Sequence, residues 1–561
     1  MYFRSHPILI SVLVLISFRL TAFDDNAKAP APDADLASAD QLFRAGKFAD
    51  AETSYQAILQ KDGKLLPAEV GLVRSMLKEQ KIDESLDAVN KALAVTPDSA
   101  ALLAVKGEVH FRRGEMSAAE TSYLTANTID PKEVRIHLGL AKLYSSDSLY
   151  RKAYDQLETA HTLAPSDIEV QRAWLPMLPR KERLAALKAY LAGPHPDDPE
   201  ETQRMQEYLD FLTATVDKPV HTCKLVSKVE QTETKLEAIV ADGRNMNGIG
   251  LSVNLNDHHA HLVLDTGAGG IMVSRKVAEK AGLTQISAVH YGGIGDKGLQ
   301  NGYTAVADHI RIGELEFQDC VVSVSEKRSV VDQDGLIGAD VFSAYLVDID
   351  LPRMKLKLSP LPKRPEDTIA PESLNSEGEE QANAEGKEES ATEEGSKQPK
   401  PSGPESKPAR RLPKDRYIAP EMANWTQVLR FGHMILVSTF VNDSPALLFG
   451  LDTGGFGNVL SIRERRQLGN VISDDRLRVR GLNGEVNRIY SAKATLRFAH
   501  LPQQNMDVVT FDLSPTSRRV GTEVSGFLGF TMLRVLEVKL DYRDGLVDFV
   551  YDPKRVSAFT R

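Results

Sequence analysis

Residues 261–268 read His-Leu-Val-Leu-Asp-Thr-Gly-Ala, an apolar run that leads directly into Asp-Thr-Gly. Residues 448–455 nearly repeat this pattern as Leu-Phe-Gly-Leu-Asp-Thr-Gly-Gly. A single Asp-Thr-Gly is weak information, because such tripeptides arise by chance in turns. Two copies, each preceded by a run typical of a buried strand, indicate related segments when their surroundings also agree.

The surroundings of the two motifs do agree. An Asn-Asp pair precedes each motif, a Ser lies nine residues after each Asp, and a Gly lies seventeen residues after it. Further on, each half has a Gly-X-X-Gly segment with an Asp twelve residues beyond its last Gly. The matching residues are Asn256-Asp257 and Asn442-Asp443, Ser274 and Ser461, Gly282 and Gly469, Gly338 and Gly529, and Asp350 and Asp541. The spacing predicts an internal duplication.

Each half resembles one lobe of an aspartic protease of the retropepsin/pepsin type, as in bacterial exported aspartyl proteases. The resemblance covers residues 245–362 and 416–561. It implies an all-β bilobal fold, in which each lobe delivers one Asp-Thr-Gly to a loop and Asp265 and Asp452 form the catalytic pair. It also implies supporting roles for Thr266 and Thr453, which cross-link the loops by hydrogen bonds, and for Gly267 and Gly454, which allow a tight turn.

Two carboxylates held close together suit peptide hydrolysis. They cannot both ionise easily, and so they share one proton. The ionised carboxylate activates water, and the protonated one donates to the carbonyl oxygen of the substrate. We therefore predict an aspartic endopeptidase that acts on peptides or unfolded proteins and needs no metal and no cofactor.

The second motif departs from the family pattern, which has Ala or Ser after Asp-Thr-Gly. Ala268 fits that pattern and Gly455 does not, and Gly450 weakens the second incoming strand. Two Gly-rich segments lie where the family has the flaps that cover substrate, although ordinary hairpin turns have a similar composition. The candidate flap glycines are Gly293, Gly295, Gly481 and Gly484.

The sequence leaves two other interpretations open. In the first, the lobes form an inactive clamp that binds peptides without cutting them, so that the protein is a scaffold. In the second, each lobe pairs with its twin in another chain. The linker between the lobes is about 50 residues long and permits either arrangement.

Residues 39–165 repeat with a 34-residue period. Small residues fall in register at positions 51, 85, 119 and 153, and a Gly or Pro lies twelve residues after each. This pattern resembles four helix pairs of the tetratricopeptide repeat (TPR), and residues 166–213 predict capping helices. We predict an all-α TPR solenoid over residues 36–215, whose surface recruits a protein partner or substrate. A spacer role is the alternative.

The N-terminus predicts export. An apolar run from Ile8 to Phe18 follows Arg4, which is typical of a signal peptide, here residues 1–22. The mature chain would be periplasmic or secreted and would have no transmembrane span, whereas an uncleaved segment would anchor it. Cys223 and Cys320 either pair in such a compartment or remain free thiols.

The remaining composition excludes several classes of function. Residues 363–415 are rich in Glu, Pro, Ser and Gly and predict a disordered acidic linker. Residues 365–409 alone carry twelve Asp/Glu against four Lys, so they hold −8 of the chain's net charge of −10. The sequence has no basic face of the kind that binds nucleic acid, so we predict no nucleic-acid partner. His258, His259 and His261 lie close together, but no nearby Cys or Glu pattern completes a metal site.

Overall fold

The computed structural model describes residues 34–218, 223–241, 245–327, 333–365, 412–469, 471–473 and 477–554. The predicted signal peptide lies outside these ranges, as does most of the predicted linker. Within them, no helix combines the length and the apolar composition needed to cross a bilayer.

The TPR region forms the four helix pairs predicted from the 34-residue period. Its helices are α1 (Ala34–Arg44), α2 (Phe48–Lys61), α3 (Leu66–Lys78), α4 (Ile82–Val95), α5 (Ala100–Arg112), α6 (Met116–Ile129), α7 (Val134–Ser146) and α8 (Tyr150–Leu163). Small residues recur because they are buried in the helix packing, with Ala51, Ser85 and Ala119 each 0% exposed. The second helix of each pair ends two residues before its Gly or Pro, consistent with the helix-breaking role of those residues.

Three further helices extend the solenoid, as predicted. They are α9 (Ile168–Trp174), α10 (Arg180–Ala192) and α11 (Pro199–Thr215). The acidic start of α11 forms a reciprocal cap. The Asp198 carboxylate accepts a hydrogen bond from Glu201 N at 2.7 Å, and the Glu201 carboxylate accepts one from Asp198 N at 3.2 Å.

The first lobe begins earlier than predicted. Its elements are β1 (Lys224–Leu225), β2 (Thr232–Ala241), β3 (Asn245–Leu255), β4 (His258–Asp265), β5 (Ile271–Ser274), α12 (Arg275–Lys280), β6 (Thr284–Tyr291), β7 (Gln300–Ile312), β8 (Leu315–Ser325), β9 (Gly335–Gly338), β10 (Tyr345–Asp350) and β11 (Lys355–Pro360). A boundary at residue 245 is too late, because β1 pairs with β8 and β2 pairs with both β3 and β11. The first lobe therefore starts at about Lys224, where β1 begins.

The second lobe repeats this plan. Its elements are β12 (Thr426–Gln427), β13 (Leu429–Phe431), β14 (Met434–Val441), β15 (Leu447–Asp452), β16 (Asn458–Ser461), β17 (Ile472–Ser473), β18 (Arg480–Gly481), β19 (Gly484–Glu485), β20 (Tyr490–Phe498), β21 (Leu501–Phe511), α13 (Ser514–Val520), β22 (Gly526–Gly529), α14 (Phe530–Leu533), β23 (Leu536–Asp541) and β24 (Leu546–Tyr551). Short 3₁₀ turns cover Leu175–Met177, Ala339–Phe342, Pro420–Met422 and Ile462–Gln467.

The Asn-Asp pairs that precede the two motifs form turns with the same geometry in both lobes. Asn256 and Asn442 adopt left-handed backbone conformations, with φ of 50° and 51°. Their side-chain amides each donate a hydrogen bond at 2.7 Å, to Ala281 O in the first lobe and to Gln467 O in the second. The duplication therefore extends to side-chain contacts.

One sheet joins the two lobes within a single chain. β10 of the first lobe pairs antiparallel with β23 of the second, over residues 346–350. The largest hydrophobic core draws on both sides of this seam, including Val347 and Val538. The lobes therefore share a core and do not depend on a second chain for their pairing.

The ends of the predicted linker belong to the folded body, so its boundaries at 363 and 415 are too wide. The Arg364 guanidinium pairs with the buried Asp544 carboxylate, and Tyr417 N donates to the same carboxylate at 2.9 Å. Asp415 accepts hydrogen bonds from Arg151 N at 2.8 Å and Lys152 N at 3.1 Å, at the start of α8.

Candidate active site

The two Asp-Thr-Gly motifs lie at the ends of equivalent strands. β4 ends at Asp265 and pairs in parallel with β9, which places Gly338 opposite Asp265. β15 ends at Asp452 and pairs in parallel with β22, which places Gly529 opposite Asp452. This is the arrangement that the family resemblance implies for the Gly-X-X-Gly segments.

The Ser nine residues after each Asp begins the turn that follows. Ser274 Oγ accepts a hydrogen bond from Val277 N at 3.4 Å, and Ser461 Oγ accepts one from Arg463 N at 3.4 Å. Both Ser residues are buried. They act as helix caps and fix the direction in which the chain leaves the site.

The two loops are cross-linked through their Thr residues. Thr266 N donates to Thr453 Oγ1 at 3.0 Å, and Thr453 N donates to Thr266 Oγ1 at 3.1 Å. Thr453 Oγ1 donates in turn to Leu264 O at 2.8 Å. Because both Thr side chains are buried, these bonds fix the separation of the two loops.

This cross-link brings the Asp265 and Asp452 carboxyl groups within hydrogen-bonding reach of each other. Each carboxylate is also held by a backbone N–H of its own loop. Gly267 N donates to Asp265 Oδ1 at 2.8 Å, and Gly455 N donates to Asp452 Oδ1 at 2.6 Å. Ala268 N and Gly454 N also hydrogen-bond to the carboxylate of their own loop, so each Asp is held by the second and the third residue after it.

The glycines leave room for the carboxyl groups. A Cβ at Gly454 would overlap the Asp265 carboxyl group, with only 2.8 Å to its Oδ1. A Cβ at Gly267 would lie 3.2 Å from Asp452 Cγ. Each motif therefore needs its Gly partly because the carboxyl group of the other lobe occupies the adjacent space.

Burial and mutual repulsion determine how the pair ionises. Burial raises the pKa of Asp452 from 3.8 to about 8, and the negative charge of Asp265 adds to this rise. Burial also raises the pKa of Asp265, but hydrogen bonds from Gly267 N and from the Asp452 carboxyl group oppose that rise. The shared proton therefore resides on Asp452.

The four candidate flap glycines lie where the two Gly-rich segments touch. Lys297 N donates to Asn483 O at 2.9 Å, and Asn483 N donates to Ile294 O at 3.0 Å. A side chain at any of these four glycines would come too close to the opposite segment. A Cβ atom added at Gly293 would lie 2.8 Å from Leu482 Cβ, and one added at Gly295 would lie 2.6 Å from Asn483 O. A Cβ atom added at Gly481 would lie 2.9 Å from Ile294 Cβ, and one added at Gly484 would lie 2.8 Å from Lys297 Cδ. The segments from the two lobes therefore meet and hydrogen-bond to each other.

The flaps and the two Asp residues line one cavity of about 2360 Å³. Tyr291 also lines it at the end of β6, where its hydroxyl bonds to Ser325 Oγ. The cavity continues to the TPR helices through Phe111, Lys142, Ser145, Ser146 and Arg204. The sequence did not predict this extension.

Two other cavity residues escaped the sequence analysis. Asp340 lies two residues after the Gly-X-X-Gly segment of the first lobe and accepts hydrogen bonds from Gly270 N at 2.9 and 3.2 Å. His433 packs against Gly269. Burial raises the pKa values of Asp265 and Asp340, and the electrostatic interaction with His433 opposes that rise. The spacing between Gly338 and Asp340 could have identified Asp340 from the sequence, whereas no sequence pattern singles out His433.

The histidine cluster of the first lobe has ordinary polar partners. His261 Nδ1 lies 2.8 Å from Glu237 Oε2, and His259 Nε2 lies 2.9 Å from Ser252 Oγ. Over the part of the chain that the structure describes, no group of three or more His, Cys, Asp or Glu residues is arranged to hold a metal ion.

Comparisons with known proteins agree with this description. Residues 251–341 match the aspartyl protease family, and residues 42–109 match the tetratricopeptide repeat family. A search of curated proteins gave no match.

Similar solved structures concern the helical region. One is a thermophilic TPR protein of Thermus thermophilus, with 22% identity and a TM-score of 0.26 over 31% of this chain and 97% of that one. Another is a TPR protein of Parabacteroides merdae, with 17% identity and a TM-score of 0.23, covering 33% of this chain and 78% of that one. A third is MamA, with 19% identity and a TM-score of 0.20, covering 28% of this chain and 92% of that one. The chain thus combines TPR helices with a β-rich, aspartyl protease-like region.

Proposed function

We propose that this protein is an exported aspartic endopeptidase in which Asp265 and Asp452 activate water for attack on a peptide bond. The observation that carries the proposal is the close approach of two carboxyl groups, one from each lobe, each held by a backbone N–H. Carboxyl groups that share one proton supply both the acid and the base for hydrolysis.

In the proposed reaction, ionised Asp265 takes a proton from water as the water oxygen bonds to the scissile carbon. Protonated Asp452 gives its proton to the carbonyl oxygen, which yields a neutral tetrahedral intermediate. The C–N bond then breaks, the proton on Asp265 passes to the departing nitrogen, and a hydroxyl proton of the intermediate returns to Asp452. The pair ends in its starting ionisation state.

The flaps support peptides or unfolded proteins as the substrate class. Because the segments at 292–298 and 480–485 hydrogen-bond to each other, a folded domain has no direct path between them. An extended chain needs only a small separation of the flaps to enter. TPR helices beside the same cavity are consistent with a protein as substrate or partner.

The inactive-clamp interpretation rests on Gly455 and on the difference between the two candidate flaps. In this geometry Gly455 N holds Asp452 at 2.6 Å, and a Cβ at this position would overlap the Asp452 carboxyl group. The departure from the family pattern therefore fits the pair. We therefore favour catalysis over a purely scaffolding role.

The proposal predicts a bell-shaped pH profile for cleavage of an unfolded protein such as casein. The pKa of Asp452 is raised to about 8, so the pair keeps its shared proton up to that region and loses the acid as the pH rises through it. Below the pKa of Asp265 both groups are protonated and the base is lost. Cleavage should be measured from about pH 3 to about pH 9, with and without pepstatin. Absence of cleavage across this range, or a rate that keeps rising above pH 8, would contradict the proposal.

Export has independent support from the two cysteines. Cys223 and Cys320 form a disulfide that spans a sequence separation of 97 residues and ties the start of the first lobe to β8. Disulfides persist mainly in oxidising compartments such as the periplasm.

We expect both thiols to be blocked to alkylating reagents in protein taken from intact cells. Replacing both Cys with Ser should lower the free energy of unfolding by about 2–4 kcal/mol, because a long loop of the unfolded chain is released. Thermal unfolding of the two forms measures this difference. Free thiols together with unchanged stability would remove this support for export.

A further inference from the structure

TPR helices form one wall of the cavity, and the same helices pack directly against the second lobe. Phe111 at the end of α5 packs on Phe431 of β13, with ring centroids 6.0 Å apart. Thr522 Oγ1 donates to Phe111 O at 2.6 Å, and Glu523 N donates to Arg112 O at 2.9 Å. We call the cavity-lining set Phe111, Lys142, Ser145 and Arg204 the helical wall.

The same helices also hold the first lobe. α11 packs on β6, where Glu207 Oε1 lies 2.7 Å from His290 Nδ1. β6 leads directly into the flap of the first lobe, and Arg204 lies on α11 only one turn before Glu207. The helices that carry the helical wall therefore contact both lobes beside the cleft.

The helical wall presents excess positive charge. Lys142 is exposed, and none of the carboxylates that the structure describes lies within ion-pair distance of it. Arg204 pairs with Glu200 at 3.0 Å. Arg519 of the second lobe lines the same cavity, where burial, and also repulsion by Arg204, lower its pKa. Glu200 also interacts with Arg519, and Lys142 interacts with the Glu169 carboxylate. Three cations thus face two carboxylates at this end of the cleft.

The flap side of the cavity has the same sign of charge. Burial lowers the pKa of Lys327, and repulsion by Lys297 and Arg480 lowers it further. All three side chains line the cavity. Arg478 adds a fourth cation on this side, and the carboxylates of Asp296 and Glu485 line it as well. A negatively charged ligand would relieve the repulsion among the cations at both ends, and a cleft with a net positive charge concentrates ligands of the opposite sign.

We propose that the helical wall binds an acidic segment of the polypeptide substrate, outside the bond that is cut. This inference rests on the proposed function, because it assigns part of the substrate site to the TPR helices. Glu or Asp side chains of the substrate pair with Lys142 and Arg204 while the neighbouring segment lies between the flaps. The TPR helices then act as a specificity element of the protease and not as a separate docking module.

The test uses the Asp452→Asn protein, so that peptides bind without being cut. Fluorescence anisotropy compares labelled peptides with one uncharged core and a tail of four Glu or four Gln, placed at either end. We expect one of the Glu-tailed peptides to bind about fivefold more tightly than its Gln-tailed partner, the effect of about 1 kcal/mol of ion pairing. Added salt should reduce this ratio.

Lys142→Glu in the same background should bring the affinity ratio close to one. The matched control is Lys91→Glu on α4, an exposed Lys away from the cavity, which should keep the wild-type ratio. Circular dichroism and thermal melting check that both variants fold.

Equal binding of Glu-tailed and Gln-tailed peptides would overturn the inference, as would failure of both to bind or a ratio that survives Lys142→Glu. Cleavage is measured separately on the wild type. A protein that prefers the Glu tail but never cuts casein would refute the proposed protease activity and leave the acidic-segment site standing.

Discussion

Replacing Asp265 or Asp452 with Asn should reduce casein cleavage by a factor of about 10³, within the range attributed to general acid–base groups. Asn cannot take a proton from water, and it cannot hold the proton that the pair shares. Because the two carboxyl groups act as one unit, the double replacement should reduce cleavage no further than either single one. Initial rates at the pH optimum, measured for all four forms, test this directly.

A suitable control is Asp308→Asn, since Asp308 is exposed on β7 and lies outside the cavity. It should retain wild-type activity. Full activity in either Asp265→Asn or Asp452→Asn would disprove the shared pair, and a double variant much slower than both singles would show that the two groups act independently.

The same variants should remain folded, and the sign of the pKa shift explains why. Burial raises the pKa of Asp452 from 3.8 to about 8, so the folded protein binds a proton more tightly than the unfolded chain does. The stability contributed by this proton is fully present below about pH 4 and is lost as the pH rises through about 8. Asn does not ionise, so Asp452→Asn should gain stability relative to the wild type over this interval.

The sequence predicted the two Asp loops because their signals are local and doubled. Each motif, its Asn-Asp turn and its capping Ser lie within about twenty residues, and a second copy confirmed that the spacing was not accidental. Those short-range features fold in the same way in both lobes, as the φ angles of Asn256 and Asn442 illustrate. The 34-residue helical period is local in the same sense.

The rest of the site depends on packing between distant segments. His433 reaches the first Asp loop from the second lobe, and Lys142 and Arg204 reach the cavity from the helical region. No periodicity in the sequence links these positions. Pairing of the lobes within one chain was likewise undetermined, because a linker of about 50 residues permits both arrangements. The antiparallel register between β10 and β23 and the shared core resolve that question.

The residue that departs from the family pattern offers the second strong test. A Cβ at Gly455 would overlap Asp452 Oδ2 and lie 2.9 Å from its Cγ. Gly455→Ala should therefore rotate the Asp452 carboxyl group or shift the loop that holds it. A displacement of about 1 Å at a catalytic group can cost about 10²-fold in rate, and we expect a loss of that size in kcat.

Gly457→Ala is the matched control, because a Cβ at this position lies 3.9 Å from its nearest neighbour, Val509 Cγ2. It changes the flexibility of the same loop by the same amount without touching Asp452, so it should retain most of the activity. Equal loss in both variants would mean that loop flexibility is what matters. Loss confined to Gly455→Ala would mean that the second lobe needs glycine, where the first has Ala268, to make room for its own carboxyl group.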